Sequence, residues 1–282
     1  MKLVSFAVVS EGAPRVGLRL DDSILDLTPL GVTDAVTAVA AGAEVLQQAI
    51  EMPATSLISA AGVRLLAPIP RPPRIFCVGL NYRDHAVESK MEIPKVPTIF
   101  LKLGSAVIGP EEAVRIPAMT KQPDYEVEFA IVIGKAGRNI AKEDWREHVF
   151  GYTILNDVSA RDVQLATSQW VMGKSFDTFC PIGPAVVTAD EIGDPHNLAI
   201  RLSIGGEVLQ QSNTRELIFK APELISYISS ITALEPGDIL STGTPAGVGL
   251  GRNPQRWLQP GETMVAEVEG LGQLVNPVVA GE

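Results

Sequence analysis

The sequence predicts a β-rich α+β protein in which a small N-terminal α/β unit, residues 1–70, precedes a larger β-rich domain, residues 71–282. Three observations carry this. Short runs with period-two alternation recur along most of the chain, as in Tyr125–Gly134, where Val127, Phe129, Ile131 and Ile133 share one face. Helical composition is confined to a few segments, chiefly Thr33–Ile50 and Ala221–Ile231. The cluster Pro68-Ile69-Pro70-Arg71-Pro72-Pro73 is stiff and extended, and marks the boundary between the two units.

In chain order, Leu3–Val9 and Val16–Leu20 read as strands about a Glu11-Gly12-Ala13-Pro14 turn, with Ser23–Leu27 as a third. Thr33 or Asp34 starts the helix to Ile50, and a second short helix is expected over Ala54–Ala61. Ile75–Gly79 is a buried strand. Asn81 is a candidate N-cap for a helix through Glu88, on which His85 and Glu88 share a face. Thr98–Lys102 is a strand, and 104–124 reads as loop. After the alternating strand come a helix over Ala141–His148, a strand Val149–Leu155, and a helix start at Ser159–Gln164. Trp170–Pro184 reads as a loop that partly encloses Lys174. Further strands are Ala185–Val187, Ala199–Ile204, Glu207–Gln210, Ile239–Thr242, Thr263–Val268 and Gln273–Val278.

The chain has 282 residues and a formal net charge of −10, without a Lys/Arg cluster, so neither nucleic acid nor an anionic membrane is an expected partner. A small anionic substrate would need local positive charge from a metal ion or a few placed Lys/Arg. Two cysteines, Cys77 and Cys180, are too few for a disulfide framework and read as buried thiols. No run approaches the ~18 apolar residues that span a bilayer. The expectation is a soluble, cytoplasmic protein.

Glu126 and Glu128 fall on the strand face opposite Phe129, because side chains two apart point the same way. Paired carboxylates of this kind are often only the wet face of an antiparallel sheet. The alternative is a hard divalent cation, such as Mg²⁺ or Mn²⁺, held with a third acid, Asp157. His85 with Glu88 is either a solvated helix start or an imidazole oriented as a general base. Lys174 is either a structural ion pair or a substrate clamp.

Five segments together resemble the fumarylacetoacetate hydrolase family, in its small domain-containing type, over roughly residues 70–280. They are Val78–His85, Asp124-Tyr125-Glu126-Val127-Glu128, Asn156–Gln164, Gly173–Pro181 and Thr242–Gly249. The resemblance implies a mixed-sheet roll, a homodimer, and one Mg²⁺ or Mn²⁺ per subunit on Glu126, Glu128 and Asp157. It implies that Lys174, Gln164 and Arg161 contact substrate, joined by Lys102 and Thr244, and that a mobile lid brings in His85 and Glu88 as a catalytic dyad. The implied activity is hydrolytic C–C cleavage of β-diketo acids through a metal-stabilised enolate. An oxaloacetate decarboxylase or tautomerase, or a non-catalytic metal and small-molecule binding protein, is an alternative. Leu80 departs from the Arg that acylpyruvate-cleaving members often carry there.

Overall fold

The computed structural model describes residues 1–51, 53, 56–88 and 92–281. Strand Val127–Ile133 lies at its centre, paired with Val149–Asn156 on one side and Ile239–Ser241 on the other. The sheet continues beyond them to Cys180–Thr188 and Lys2–Val8 at one end, and to Ile75–Gly79 and Thr98–Lys102 at the other. Strands of the first seventy residues therefore extend the same sheet, through Lys2 opposite Val187. A five-stranded second sheet contains Ala199–Ile204, Glu207–Asn213, Thr263–Val268 and Gly272–Ala280. Most pairings are antiparallel; Ile239–Ser241 runs parallel to Ile75–Cys77, so the sheet is mixed.

The alternation of Val127–Ile133 is real, but the strand is buried along its whole length. Val127, Phe129, Ile131 and Ile133 pack on the second sheet and on Ile225 and Ile228 of helix Ala221–Ile231. The opposite face is covered too: Val132 meets the core of helix Ala35–Ile50, and Ala130 packs with Cys77, Cys180 and Ile182. Of the two readings of Glu-x-Glu, the wet face of a sheet is ruled out. Both acids lie inside the protein, where an unpaired charge is costly.

Helix Ala221–Ile231 has the expected bounds, and Asp34 caps the first helix by accepting from Thr37 N at 2.9 Å. That helix kinks at Gly42, whose φ of +66° suits glycine. Other expectations need correction. Of the helix expected over Ala54–Ala61, Ala54 and Thr55 lie outside the described residues, and Leu57–Ser59 is a strand paired with Ser23–Leu25. Leu57-Ile58-Ser59 has little helical preference of its own, and pairing to an open sheet edge decides its conformation. Asn81 is not a cap. It is fully buried, donates to Thr242 O (2.7 Å) and Phe219 O (3.0 Å), and accepts from Phe219 N, while the helix begins at Arg83. The segment Lys142–His148 is 3-10 rather than α-helical. Lys174 ends a short helix, Val171–Lys174, within the stretch expected to be loop, and the next strand starts at Cys180. Among the described residues no helix is long and apolar enough to cross a membrane.

Candidate active site

One end of the central sheet brings the acids together. Asp157 N donates to Glu126 O at 2.8 Å, and Glu126 N donates to Asn156 Oδ1 at 3.0 Å, so the end of one strand is fixed against the start of its neighbour. The carboxylates of Glu126, Glu128 and Asp157 consequently offer oxygens within 4.8 Å of one another, all buried.

Three cations are woven through them. Lys174 Nζ donates to Glu126 Oε2 at 2.6 Å and Asp157 Oδ2 at 2.8 Å. Arg161 donates from Nη2 to Glu126 Oε1 at 2.5 Å, from Nε to Asp124 Oδ2 at 2.8 Å, and from Nη1 to Gln164 Oε1 at 3.0 Å. Lys102 Nζ donates to Asp157 Oδ1 at 2.6 Å and to the carbonyls of Val158 and Lys174. Glu128 differs. It accepts from Ser241 Oγ at 2.6 Å and Gly243 N at 2.9 Å, and has no cationic partner among the described residues.

The electrostatics follow from that asymmetry. Burial pushes the Glu128 carboxyl up, and neighbouring Asp157 and Glu126 push it further, to about 8. Burial acts likewise on Glu126, but Arg161 and Lys174 outweigh it and hold that carboxyl at about 2. Burial disfavours the Lys174 ammonium, yet Asp157 and Glu126 more than reverse this and keep it charged above the ordinary lysine range. With all four acids ionised, Asp124, Glu126, Glu128 and Asp157 exceed Lys102, Arg161 and Lys174 by one negative charge. Three hard oxygen donors, one carrying an uncompensated charge, fit a divalent hard cation.

His85 and Glu88 face this cluster across one cavity of about 500 Å³, which Arg161, Gln164, Lys174 and Thr244 also line. His85 Nδ1 lies 3.2 Å from Glu88 Oε2, and Gly247 N donates to Glu88 Oε1 at 2.9 Å. Burial raises the Glu88 carboxyl, but those two hydrogen bonds overcome it and hold the group below the usual range. Two expected substrate contacts are committed elsewhere. Lys102 lies behind Asp157 and does not line the cavity. The Thr244 hydroxyl reaches the cavity but donates to Val127 O and accepts from Gln210 Nε2.

The remaining wall is apolar, formed by Leu80, Phe100, Trp170 and Leu250. Trp170 meets Phe100 edge-on at 5.4 Å. It closes over Gly79, where a Cβ would fall 2.5 Å from the indole. Sequence reasoning gave no role to Gln210, to Trp170 or to Asp124, whose one signal is its place two residues before Glu126. A larger cavity of about 950 Å³, between Met1, Leu20, Ile50 and Gln273, has no group of metal-ligating side chains like this one among the described residues.

Comparison with known proteins agrees with this arrangement. The family model described as fumarylacetoacetate (FAA) hydrolase C-terminal matches residues 74–279. The chain is 43% identical to a Xenopus laevis protein named oxaloacetate tautomerase fahd2, mitochondrial, over 99% of this chain and 90% of that one. It superimposes along the full length of both chains on a fumarylacetoacetate hydrolase from Exiguobacterium antarcticum, with a TM-score of 0.89 and 36% identity. It does so equally on a maleylpyruvate hydrolase from Sphingobium sp. SYK-6, in complex with manganese(II) and pyruvate, with a TM-score of 0.84 and 34% identity. The cytoplasmic expectation is overturned here, since the Xenopus laevis relative is named as mitochondrial, which points to that compartment rather than the cytoplasm.

Proposed function

The chain belongs to the fumarylacetoacetate hydrolase family, and on that basis we propose that this enzyme interconverts the keto and enol forms of oxaloacetate, using Mg²⁺ or Mn²⁺ on Glu126, Glu128 and Asp157. The observation that carries this reading is the opposition, across one cavity, of a buried carboxylate cluster short of one cation and an imidazole held by Glu88. Enolisation needs little more: a charge sink beside the 2-oxo group and a base beside C3. The Xenopus laevis relative named an oxaloacetate tautomerase supports the substrate.

A divalent cation held there would supply a Lewis acid for the 2-oxo group and offset the charge that enolisation creates. The chain's own residues do the rest. Lys174 and Arg161 hold Glu126 and Asp157 in place and keep positive charge on the wall where the oxyanion develops. Gln164, fixed by Arg161, orients the substrate carboxylate. With Nδ1 engaged by Glu88, His85 Nε2 is the nitrogen left to take the C3 proton of the keto form and to return one to C3 of the enol. Hydrolytic C–C cleavage is the second reading. The same His85–Glu88 pair favours it, since an imidazole so oriented can deprotonate water as readily as carbon.

The test is oxaloacetate keto–enol exchange beside acetylpyruvate cleavage, each with Mg²⁺, with Mn²⁺ and with EDTA. EDTA-sensitive exchange with acetylpyruvate untouched is the expected result. Release of pyruvate and acetate without exchange would replace the proposal by the hydrolase reading. Gly251→Ala tests the dyad. Its Cβ would fall 2.7 Å from Glu88 Cδ, the end of a flexible side chain, so folding should survive while Glu88 is displaced. Turnover should fall by up to about 100-fold at an unchanged melting temperature. Full activity would mean that the seat of Glu88 does not matter.

A further inference from the structure

Asp124 belongs to neither the carboxylate triad nor the dyad, yet it touches the supports of both. It is fully buried, and its carboxylate takes four N–H donors. Arg161 Nε reaches Oδ2 at 2.8 Å and Leu250 N reaches Oδ2 at 3.0 Å. Gly249 N reaches Oδ1 at 2.7 Å and Tyr125 N reaches Oδ1 at 2.9 Å. Arg161 spends its other nitrogens on Glu126 and Gln164, so one side of Asp124 fixes the metal-side wall.

The other side fixes the turn Gly249–Gly251. Gly251 lies flat against the Glu88 carboxylate, and Gly247, just before the turn, donates its N–H to that same group. Tyr125, adjacent to Asp124, adds a bond from its hydroxyl to Gly247 O at 3.2 Å. Gly249 has no room to shift, since even a Cβ there would fall 1.8 Å from Arg256 O and 2.7 Å from Asp124 Oδ1. The route from Arg161 through Asp124 to the turn is made of hydrogen bonds; from the turn it passes to Glu88 by the close packing of Gly251 and by the N–H of Gly247 just before it, and from Glu88 to His85.

We propose that Asp124 is a positioning residue that locks the seat of the His85–Glu88 helix to the Arg161–Glu126 wall, so that the two halves of the site are held in register by one carboxylate. The proposal rests on the reading above that these halves act together. Only an ionised carboxylate satisfies four donors at once. An asparagine has the same shape but one acceptor oxygen, and whichever way its amide turns, two of the four N–H groups face another donor.

The test is Asp124→Asn in the full-length protein, read first by amide hydrogen exchange in the metal-free state. Exchange should quicken about tenfold or more both in the turn around 249–250 and in helix 83–88, with strands 127–133 and 149–156 unchanged. Turnover of oxaloacetate should fall ~10–100-fold, as for other residues that act through a neighbour. In a Glu88→Gln background the same substitution should cost far less, because both changes undo one arrangement. Faster exchange in the turn but not in helix 83–88, or fully multiplicative losses in the double variant, would overturn the proposal. If the variant does not fold, native-state exchange of the unmodified protein in low denaturant decides. Helix 83–88 and amides 249–250 should then open as one unit with one denaturant dependence, and two separate openings would overturn the proposal. The exchange result does not depend on the substrate, so loss of the tautomerase reading would leave it standing.

Discussion

Glu128→Gln should abolish divalent-cation binding and leave the metal-free protein as stable as before, whereas Asp157→Asn should abolish binding and destabilise the protein outright. The contrast follows from what each carboxylate does without the ion. Glu128 is buried with a hydroxyl and one N–H as partners and no cation, so its ionised form is disfavoured without the metal, and a glutamine can accept the same two hydrogen bonds without a charge. Asp157 compensates two buried ammonium groups, Lys102 and Lys174. Removing one partner of a buried ion pair costs about 3–5 kcal/mol, because the remaining charge is left unpaired. Calorimetric melting should therefore place Asp157→Asn roughly 5–15 °C below the parent and Glu128→Gln at or above it. Titration with Mg²⁺ or Mn²⁺ should raise the melting temperature of the parent alone. A Glu128→Gln protein that still gains stability from the ion would remove Glu128 from the ligand set.

His85→Ala should cost ~10²–10⁴ in the rate of oxaloacetate exchange, the usual contribution of a placed acid–base group. Glu88→Gln should cost less, since the amide can still accept from the ring through its oxygen while losing the charge that steadies the imidazolium. Metal-dependent decarboxylation of oxaloacetate makes a useful internal reference. Loss of CO₂ requires the charge sink but no base at C3, so it should largely survive in His85→Ala. Equal losses in both reactions would show that His85 serves binding rather than proton transfer.

Much of this site is legible in the sequence where chemistry follows strand parity. Glu126 and Glu128 had to point the same way, and Asp157 at the end of the neighbouring run could join them across one rung. Parity does not reveal which face is wet. The even face of Val127–Ile133 is covered by segments far away in sequence, helix Ala35–Ile50 and the strand from Cys180, so burial of both acids could not be read locally. The same limit applies to Asn81 and Asp124. Asn81 resembles a local cap, yet its side chain bonds backbone groups more than a hundred positions away, and Asp124 takes two of its four donors, Gly249 N and Leu250 N, from as far. The strand at Leu57–Ser59 shows the reverse, a segment with little preference of its own that is recruited by an available edge.

The joining of the first strand to the strand from Cys180 also sets a schedule for synthesis. Lys2 has to wait for Val187, and Ile75 for Ile239, before the central sheet can close. Val63–Leu65 covers Phe6–Val8 early, but at about 5–20 residues per second the edge at Lys2 and Leu3 stays unpaired for roughly ten to forty seconds. Exposed edges of this kind are templates for wrong pairing. The short open edge at Lys2 and Leu3 and the edge of Ile75–Gly79 awaiting Ile239 are where mispairing during synthesis would begin, so yield on expression should respond to translation speed.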